Sequence, residues 1–116
     1  MGCSKGCNNA CCPTPEIFQE KICGNFNGGT AGIELMVWQA VPGDYFEGTF
    51  EIFNSASSSG SVTGDITAEM GETVVGPVPQ GNSVANSVLE PSDFTISAPP
   101  NTSGKFCITL YKRVMP

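Results

Sequence analysis

The sequence predicts an all-β protein, a jelly-roll sandwich of about eight strands preceded by an extended arm. Three observations point there. Apolar and polar residues alternate with a period of two from residue 17 onward. Clusters of Gly, Pro, Asn and Ser interrupt that alternation at short intervals, and no segment repeats its apolar positions every 3.6 residues as a helix would. Many short strands separated by turn residues are the pattern of a sandwich or jelly roll. At 116 residues the chain can bury one modest core. With 40% hydrophobic and 14% charged residues it is too apolar and too weakly charged for a disordered polymer. We find no internal repeat and no second domain.

Residues 1–15 form the arm, "MGCSKGCNNACCPTP", and residues 16–116 the folded body. Pro13 and Pro15 fix their own φ and push the residues before them toward extended geometry. Cys3, Cys7 and Cys11 recur every four residues, but Gly2, Gly6, Asn8 and Asn9 oppose a helix there. The first strand candidate is "IFQEKICGNF" (17–26), closed by the turn "NGGTAG". "IELMVWQAV" (33–41) is nearly continuous in apolar residues and stops at "PGD". In "YFEGTFEIF" (45–53), Phe46, Phe50 and Ile52 share one face against Glu47, Thr49 and Glu51. "SVTGDITAEM" (61–70) sets Val62, Ile66, Ala68 and Met70 against Thr63, Asp65, Thr67 and Glu69. "ETVVGPV" (72–78) and "SVANSVL" (83–89) follow. "DFTISA" (93–98) aligns Phe94, Ile96 and Ala98, and "KFCITLYKRV" (105–114) aligns Phe106, Ile108 and Leu110. "NSASSSGS" (54–61) and "PPNTSG" (99–104) read as exposed hairpin tips.

The net charge of −6 excludes a nucleic-acid surface, which would need a basic face. The five cations, Lys5, Lys21, Lys105, Lys112 and Arg113, make no patch larger than a pair, so an anionic membrane surface is excluded too. No stretch is long and apolar enough to span a bilayer, and the start lacks the apolar run of a signal peptide. A start of "MGCSKG" invites a test for acylation, but position six is Gly where myristoylation prefers Ser or Thr.

Catalytic chemistry finds little to use. The chain contains no histidine, which removes Ser–His–Asp and Cys–His catalysis and most catalytic zinc sites. Asp44, Glu47, Glu51, Asp65, Glu69 and Glu72 could in principle pair as glycosidase carboxylates, but they follow the outward positions of strands and read as a solvated face. "NGGTAG" lacks the Lys and the helix of a phosphate loop. "NTS" at Asn101 matches a glycosylation sequon, which matters only in a eukaryotic secretory pathway. Cys3 and Cys7 have the spacing of half a zinc site, but no second well-spaced pair completes it. The expectation is therefore no enzyme, no metal and no cofactor.

The six cysteines point to disulfides. Adjacent Cα atoms lie ~3.8 Å apart, below the ~4.4–6.8 Å of ordinary bridges, so Cys11 and Cys12 need separate partners. Cys23, on the first strand, and Cys107, on the last, are the two available in the body. First and last strands commonly pair in jelly rolls, so Cys23 and Cys107 could close an internal bridge. Cys11 or Cys12 could instead fold back on its own body. Ten residues lie between Cys12 and Cys23, a reach of ~35 Å, so the arm could also cross to a neighbouring subunit.

The order of a Cys-rich tail with a "CC" pair, a lone Cys in "KIC" (21–23), the "SVANSVLEPSDFTIS" region and a terminal "GKFCITLYK" (104–112) resembles the Ena-type endospore appendage subunits of Bacillus-group bacteria. The resemblance covers the whole chain in layout. It implies a jelly roll whose arm is a connector, docking into a neighbouring layer and locked there by disulfides. By resemblance Cys11 and Cys12 are the connector cysteines, and Cys23 and Cys107 the acceptors. Cys3 and Cys7 are additional in this chain and imply possible further disulfides. The family comes as helical and as stacked-ring fibres. The resemblance further implies copies of itself as partner, joined laterally by β-augmentation, synthesis in the mother cell without a signal peptide, and a place on the spore surface, where disulfides persist. The rival expectation is a monomeric carbohydrate-binding or adhesin jelly roll with Trp38, Tyr45 and Tyr111 as its platform. Trp38 lies in an apolar strand and is expected in the core.

Overall fold

The computed structural model describes residues 16–114 and, within the arm, the backbone of Cys3–Ser4 and Cys7–Asn8. Eight strands build the body: β1 Glu16–Asn27, β2 Ile33–Gln39, β3 Glu47–Asn54, β4 Val62–Ala68, β5 Gly71–Val78, β6 Ser83–Leu89, β7 Pro91–Ala98 and β8 Ser103–Val114. All eight stretches expected to be strands are strands. They form two four-stranded sheets, in the orders β1-β8-β3-β6 and β2-β7-β4-β5, with antiparallel pairing throughout. Apart from the β4–β5 hairpin, successive strands alternate between sheets in the manner of a jelly roll, and the described residues of the body contain no helix.

The period-two pattern sets which face is buried. On β3, Gly48, Phe50, Ile52 and Asn54 are buried while the residues between them are not. Phe50 and Phe94 meet across the core with ring centroids 5.0 Å apart, and Ile66, Ile96, Ile108 and Leu110 close around them. Gly64 makes room for this contact. A Cβ there would stand 2.7 Å from Ile52 Cδ1 and 2.8 Å from Phe94 Cε1.

Some details depart from the sequence pattern. Met70 does not join the inner face of β4. The strand ends at Ala68, and Met70 sits in the β4–β5 turn, 91% exposed. Phe46 lies before β3, at a bend, and its ring rests against Tyr111 and under the Arg113 guanidinium. Tyr45 takes the place beside the core instead. The segments 54–61 and 99–104 are not hairpin tips. The first carries the chain from β3 to β4 and the second from β7 to β8, each crossing between sheets. They are tied together: the Ser103 N–H donates to Ser58 Oγ at 2.9 Å and the Ser59 N–H to the Asn101 carbonyl at 3.0 Å. Asn54, fully buried, donates from Nδ2 to the carbonyls of Gly60 and Val78, both at 2.8 Å. Crossing loops leave backbone carbonyls inside that no strand can satisfy, and one amide side chain serves two of them.

Candidate functional site

The two in-body cysteines meet at the middle of the longest ladder. β1 and β8 pair over twelve residues, from Glu16 opposite Val114 to Asn27 opposite Ser103, and Cys23 stands directly across from Cys107. They are bonded to each other, with Cα atoms 4.1 Å apart and a sequence separation of 84. Phe106 and Ile108, on either side of Cys107, are buried. Strand alternation therefore turns Cys107 to the outer face of the sheet, and Cys23 with it. Cys107 is half-buried, while Cys23, on the edge strand β1, is exposed.

The surroundings of the bridge follow from register. Lys21 and Asn25 flank Cys23 on its face, Thr109 and Lys105 flank Cys107, and Glu51 of β3 stands directly across from Cys107 on the other side. A shallow cleft opens beside Cys107, lined by Glu51, Phe53, Lys105 and Phe106. A second one adjoins it toward the crossing loops, sharing Phe53 and Lys105 and adding Asn25, Asn27, Ser55 and Ser103. Phe53 is an outward aromatic, 38% exposed. Cys11 and Cys12 lie outside the described residues, and of Cys3 and Cys7 only the backbone is described.

At the root of the arm, β1 and β8 continue past the end of β3. Tyr111 pairs with Glu47, the last β3 partner, whereas β8 runs on beside β1 to Val114. This two-stranded extension leaves Ile17 and Phe18 exposed. It is braced from one side by Tyr45, whose phenol donates to the Glu20 carboxylate and whose ring lies 5.5 Å from Lys112 Nζ. From the other side Phe46 lies 4.3 Å from the Arg113 guanidinium carbon. The Glu20 hydrogen bond, then burial, then the charges of Glu20 and Asp44 push the Tyr45 phenol from 10.0 up to about 12.

The other candidates do not assemble. Among the described residues no three potential metal ligands gather. Glu47 and Glu51 face outward from one sheet and Asp65 from the other, so these carboxylates do not meet across a cleft. Trp38 is half-buried against Phe50 and Tyr45, at 5.7 and 5.9 Å, whereas Tyr111 lies on the opposite face of its sheet with Phe46. The three aromatic residues share no platform. What sequence reasoning missed is the apolar edge. The near-continuous apolar run of β2 is an edge strand that, among the described residues, pairs on one side only, with β7. Ile33, Leu35 and Met36 are 40%, 43% and 49% exposed. An apolar residue at nearly every position, on both faces, was the available signal.

A profile for the family of endospore appendages matches residues 9–114. That span includes Cys11, Cys12, Cys23 and Cys107 but not Cys3 or Cys7. Among solved structures, a Bacillus endospore appendage subunit, described as belonging to a family of disulfide-linked pili, superposes with a TM-score of 0.66 at 19% identity, over 93% of this chain and 99% of that one. At this identity the likeness is one of fold. Looser matches are the SPBc2 prophage-derived protein YomS, at TM-score 0.39 and 13% identity over 91% of this chain and 100% of that one. A cupin domain from Bordetella pertussis matches at TM-score 0.40 and 13% identity over 86% and 93%. No curated protein matches by sequence.

Proposed function

The chain belongs to the endospore appendage family, and from that premise we propose that it is a structural, self-assembling subunit of a spore-surface fibre, its layers cross-linked by disulfides through the N-terminal arm. Residues 1–15 are the connector and residues 16–116 the body it leaves. Cys11 and Cys12 supply the connecting sulfurs, and Cys23 and Cys107 of a neighbouring copy receive them. Cys3 and Cys7 are available for further bridges. The chain is made in the mother cell and works on the spore surface as architecture, without catalysis.

The observation that carries this reading is the placement of Cys23 and Cys107 together on an open outer face, combined with the short reach of the arm. Cys12 precedes Glu16 by four residues and Cys11 by five. Fully extended, those links span about 14 and 18 Å. Cys23 is seven residues along β1 from Glu16, about 23 Å at the rise of a strand. Bonded Cα atoms must approach within ~6.8 Å. Cys12 therefore falls short of its own body's acceptors. Cys11 would need every link straight, with no residue left to reverse direction, and Pro13 and Pro15 hold the chain to the shorter polyproline rise of ~3.1 Å. A body from another copy has no such restriction. Charge supports the same encounter: all eleven acidic residues lie beyond residue 15 with only four basic ones, so the body is −7 while the arm carries only Lys5.

Lateral joining rests on the sheet edges. β1 and β6 border one sheet and β2 and β5 the other, each with one side free of strand partners among the described residues. Such edges are normally guarded by charges or bulges. β2 has one register shift, between Met36 and Trp38, and one charge, Glu34, amid exposed apolar residues. This suits strand addition by a second copy, the β-augmentation mode. Purified polymer heated in SDS tests the covalent part: it should resist without reductant and fall to monomer with it. A polymer dissolving equally in both would refute the cross-link, and a chain lacking residues 1–15 that still grew normal fibres would refute the role of the arm.

A further inference from the structure

We propose that the Cys23–Cys107 bridge is itself the reactive group through which subunits join, opened by an arm thiolate of a second copy at the Cys107 sulfur. This rests on the cross-linked fibre just described and adds the chemistry of the joining step. The two acceptor sulfurs stand opposite each other and are already bonded. A subunit in this state has no thiol at either acceptor, so simple oxidation of an arm thiol against an acceptor thiol is closed to it. Exchange is open. A thiolate attacks one sulfur of a disulfide, forms a mixed disulfide and expels the other sulfur.

Direction follows from the sheet. Attack runs in line with the bond that breaks, so a sulfur approaching Cys107 must come from the side away from Cys23. That side is β3, and there the cleft lined by Glu51, Phe53, Lys105 and Phe106 lies open beside Cys107. The exposed ring of Phe53 offers an apolar contact that suits the Ala and Pro residues flanking the "CC" pair, and Lys105 offsets the Glu51 carboxylate on the incoming thiolate's path. The expelled sulfur is Cys23, on the exposed edge strand beside Lys21. Expelling Cys107 instead would leave its negative charge facing Glu51 directly across the ladder.

The step balances. The arm thiol loses a proton, one S–S bond breaks, one forms, and the Cys23 thiolate takes up a proton; nothing is oxidised overall. Reversal by the neighbouring arm cysteine is hindered, because closing Cys11 on Cys12 would need a bridge between Cα atoms only ~3.8 Å apart. A second bond, between the released Cys23 and the remaining arm thiol, removes two electrons and two protons, which a low-molecular-weight disulfide accepts while being reduced to two thiols.

The test uses two full-length chains. The acceptor carries Cys3, Cys7, Cys11 and Cys12→Ser and is purified without reductant; the donor carries Cys23 and Cys107→Ser and is reduced, then freed of reductant. Mixed without oxygen or any oxidant, they should give a reductant-sensitive dimer with one newly alkylatable thiol on the acceptor, matched by one thiol lost from the donor arm. Peptide mapping should place the new bridge on Cys107 and the new thiol on Cys23. A synthetic peptide of residues 1–15 with Cys12 as its only cysteine gives the same readout if the donor does not fold. Two alkylatable thiols on the fresh acceptor, or a dimer formed only after oxidant is admitted, would overturn the exchange while the cross-linked fibre stands. A bridge mapped to Cys23 would overturn the assigned direction. No dimer under either condition would overturn both readings.

Discussion

Opening the Cys23–Cys107 bridge should weaken the body substantially and leave it folded. The perturbation is the double variant Cys23→Ser/Cys107→Ser, compared with its parent in chains whose four arm cysteines are also Ser. The bond joins residues 84 apart in sequence. By loop-closure entropy, a cross-link of that span is worth about 4.5 kcal/mol at 25 °C. Unfolding entropy near ~2.1 cal/mol/K per residue gives about 0.2 kcal/mol/K for a body of about 100 residues. The melting midpoint should therefore fall by roughly 20 °C. The core that remains, with Phe50, Ile52, Ile66, Phe94, Ile96, Ile108 and Leu110 all fully buried, still outweighs the loss if the body has the usual net stability of ~5–15 kcal/mol. Thermal unfolding followed by circular dichroism measures the change. A fall below about 5 °C would refute the loop-closure reasoning. Loss of any cooperative transition at 25 °C would show that the body cannot survive exchange, and the joining chemistry would go with it.

The remaining predictions address the core, the crossing loops and the arm root. Asn54→Asp keeps the shape but replaces two donated hydrogen bonds with a carboxylate facing the Gly60 and Val78 carbonyls. It should cost about 3 kcal/mol or more, and a denaturant midpoint within experimental error of the parent would refute the clamp. Gly64→Ala must push against Ile52 and Phe94 and should cost about 1–3 kcal/mol by overpacking, read as a lower melting temperature; an unchanged one would show that the core yields there. Tyr45, held up at about 12, should ionise last in an ultraviolet titration, and Tyr45→Phe should abolish that upper step. Because the folded value is raised, its contribution is full below pH 10, where the unfolded phenol keeps its proton, and is lost as pH rises from 10 through 12. Stability rising across that window would contradict the Glu20 hydrogen bond.

Much of this architecture was legible before any coordinates. Alternation marked most of the strands because they have one buried and one open face, as "FEIF" (50–53) does with Phe50 and Ile52 inside and Glu51 and Phe53 outside; β2 was marked instead by its continuous apolar run. Where neighbours rather than periodicity decide, the reading failed. Parity alone put Phe46 and Met70 on inner faces, but both lie past strand ends, where a bend or a turn releases the side chain from the pleat. The crossing loops looked like hairpin tips because local sequence records where a strand stops and not which sheet the chain enters next. The apolar run of β2 signalled a strand apolar on both faces, but not which of its sides would find a partner strand.

The site divides in the same way. The sequence alone led to the expectation that Cys11 and Cys12 take different partners, because the spacing of adjacent Cα atoms is set by the length of one peptide unit. It also determined that Cys23 and Cys107 lie on strands, because alternation is local. Only the tertiary structure decided that these two face each other across one ladder and point outward beside a cleft, and that seven of the residues joining the arm to Cys23 are locked into β1. Pairing register is a long-range property, set by which side chains fill one shared core, and no window of sequence contains it.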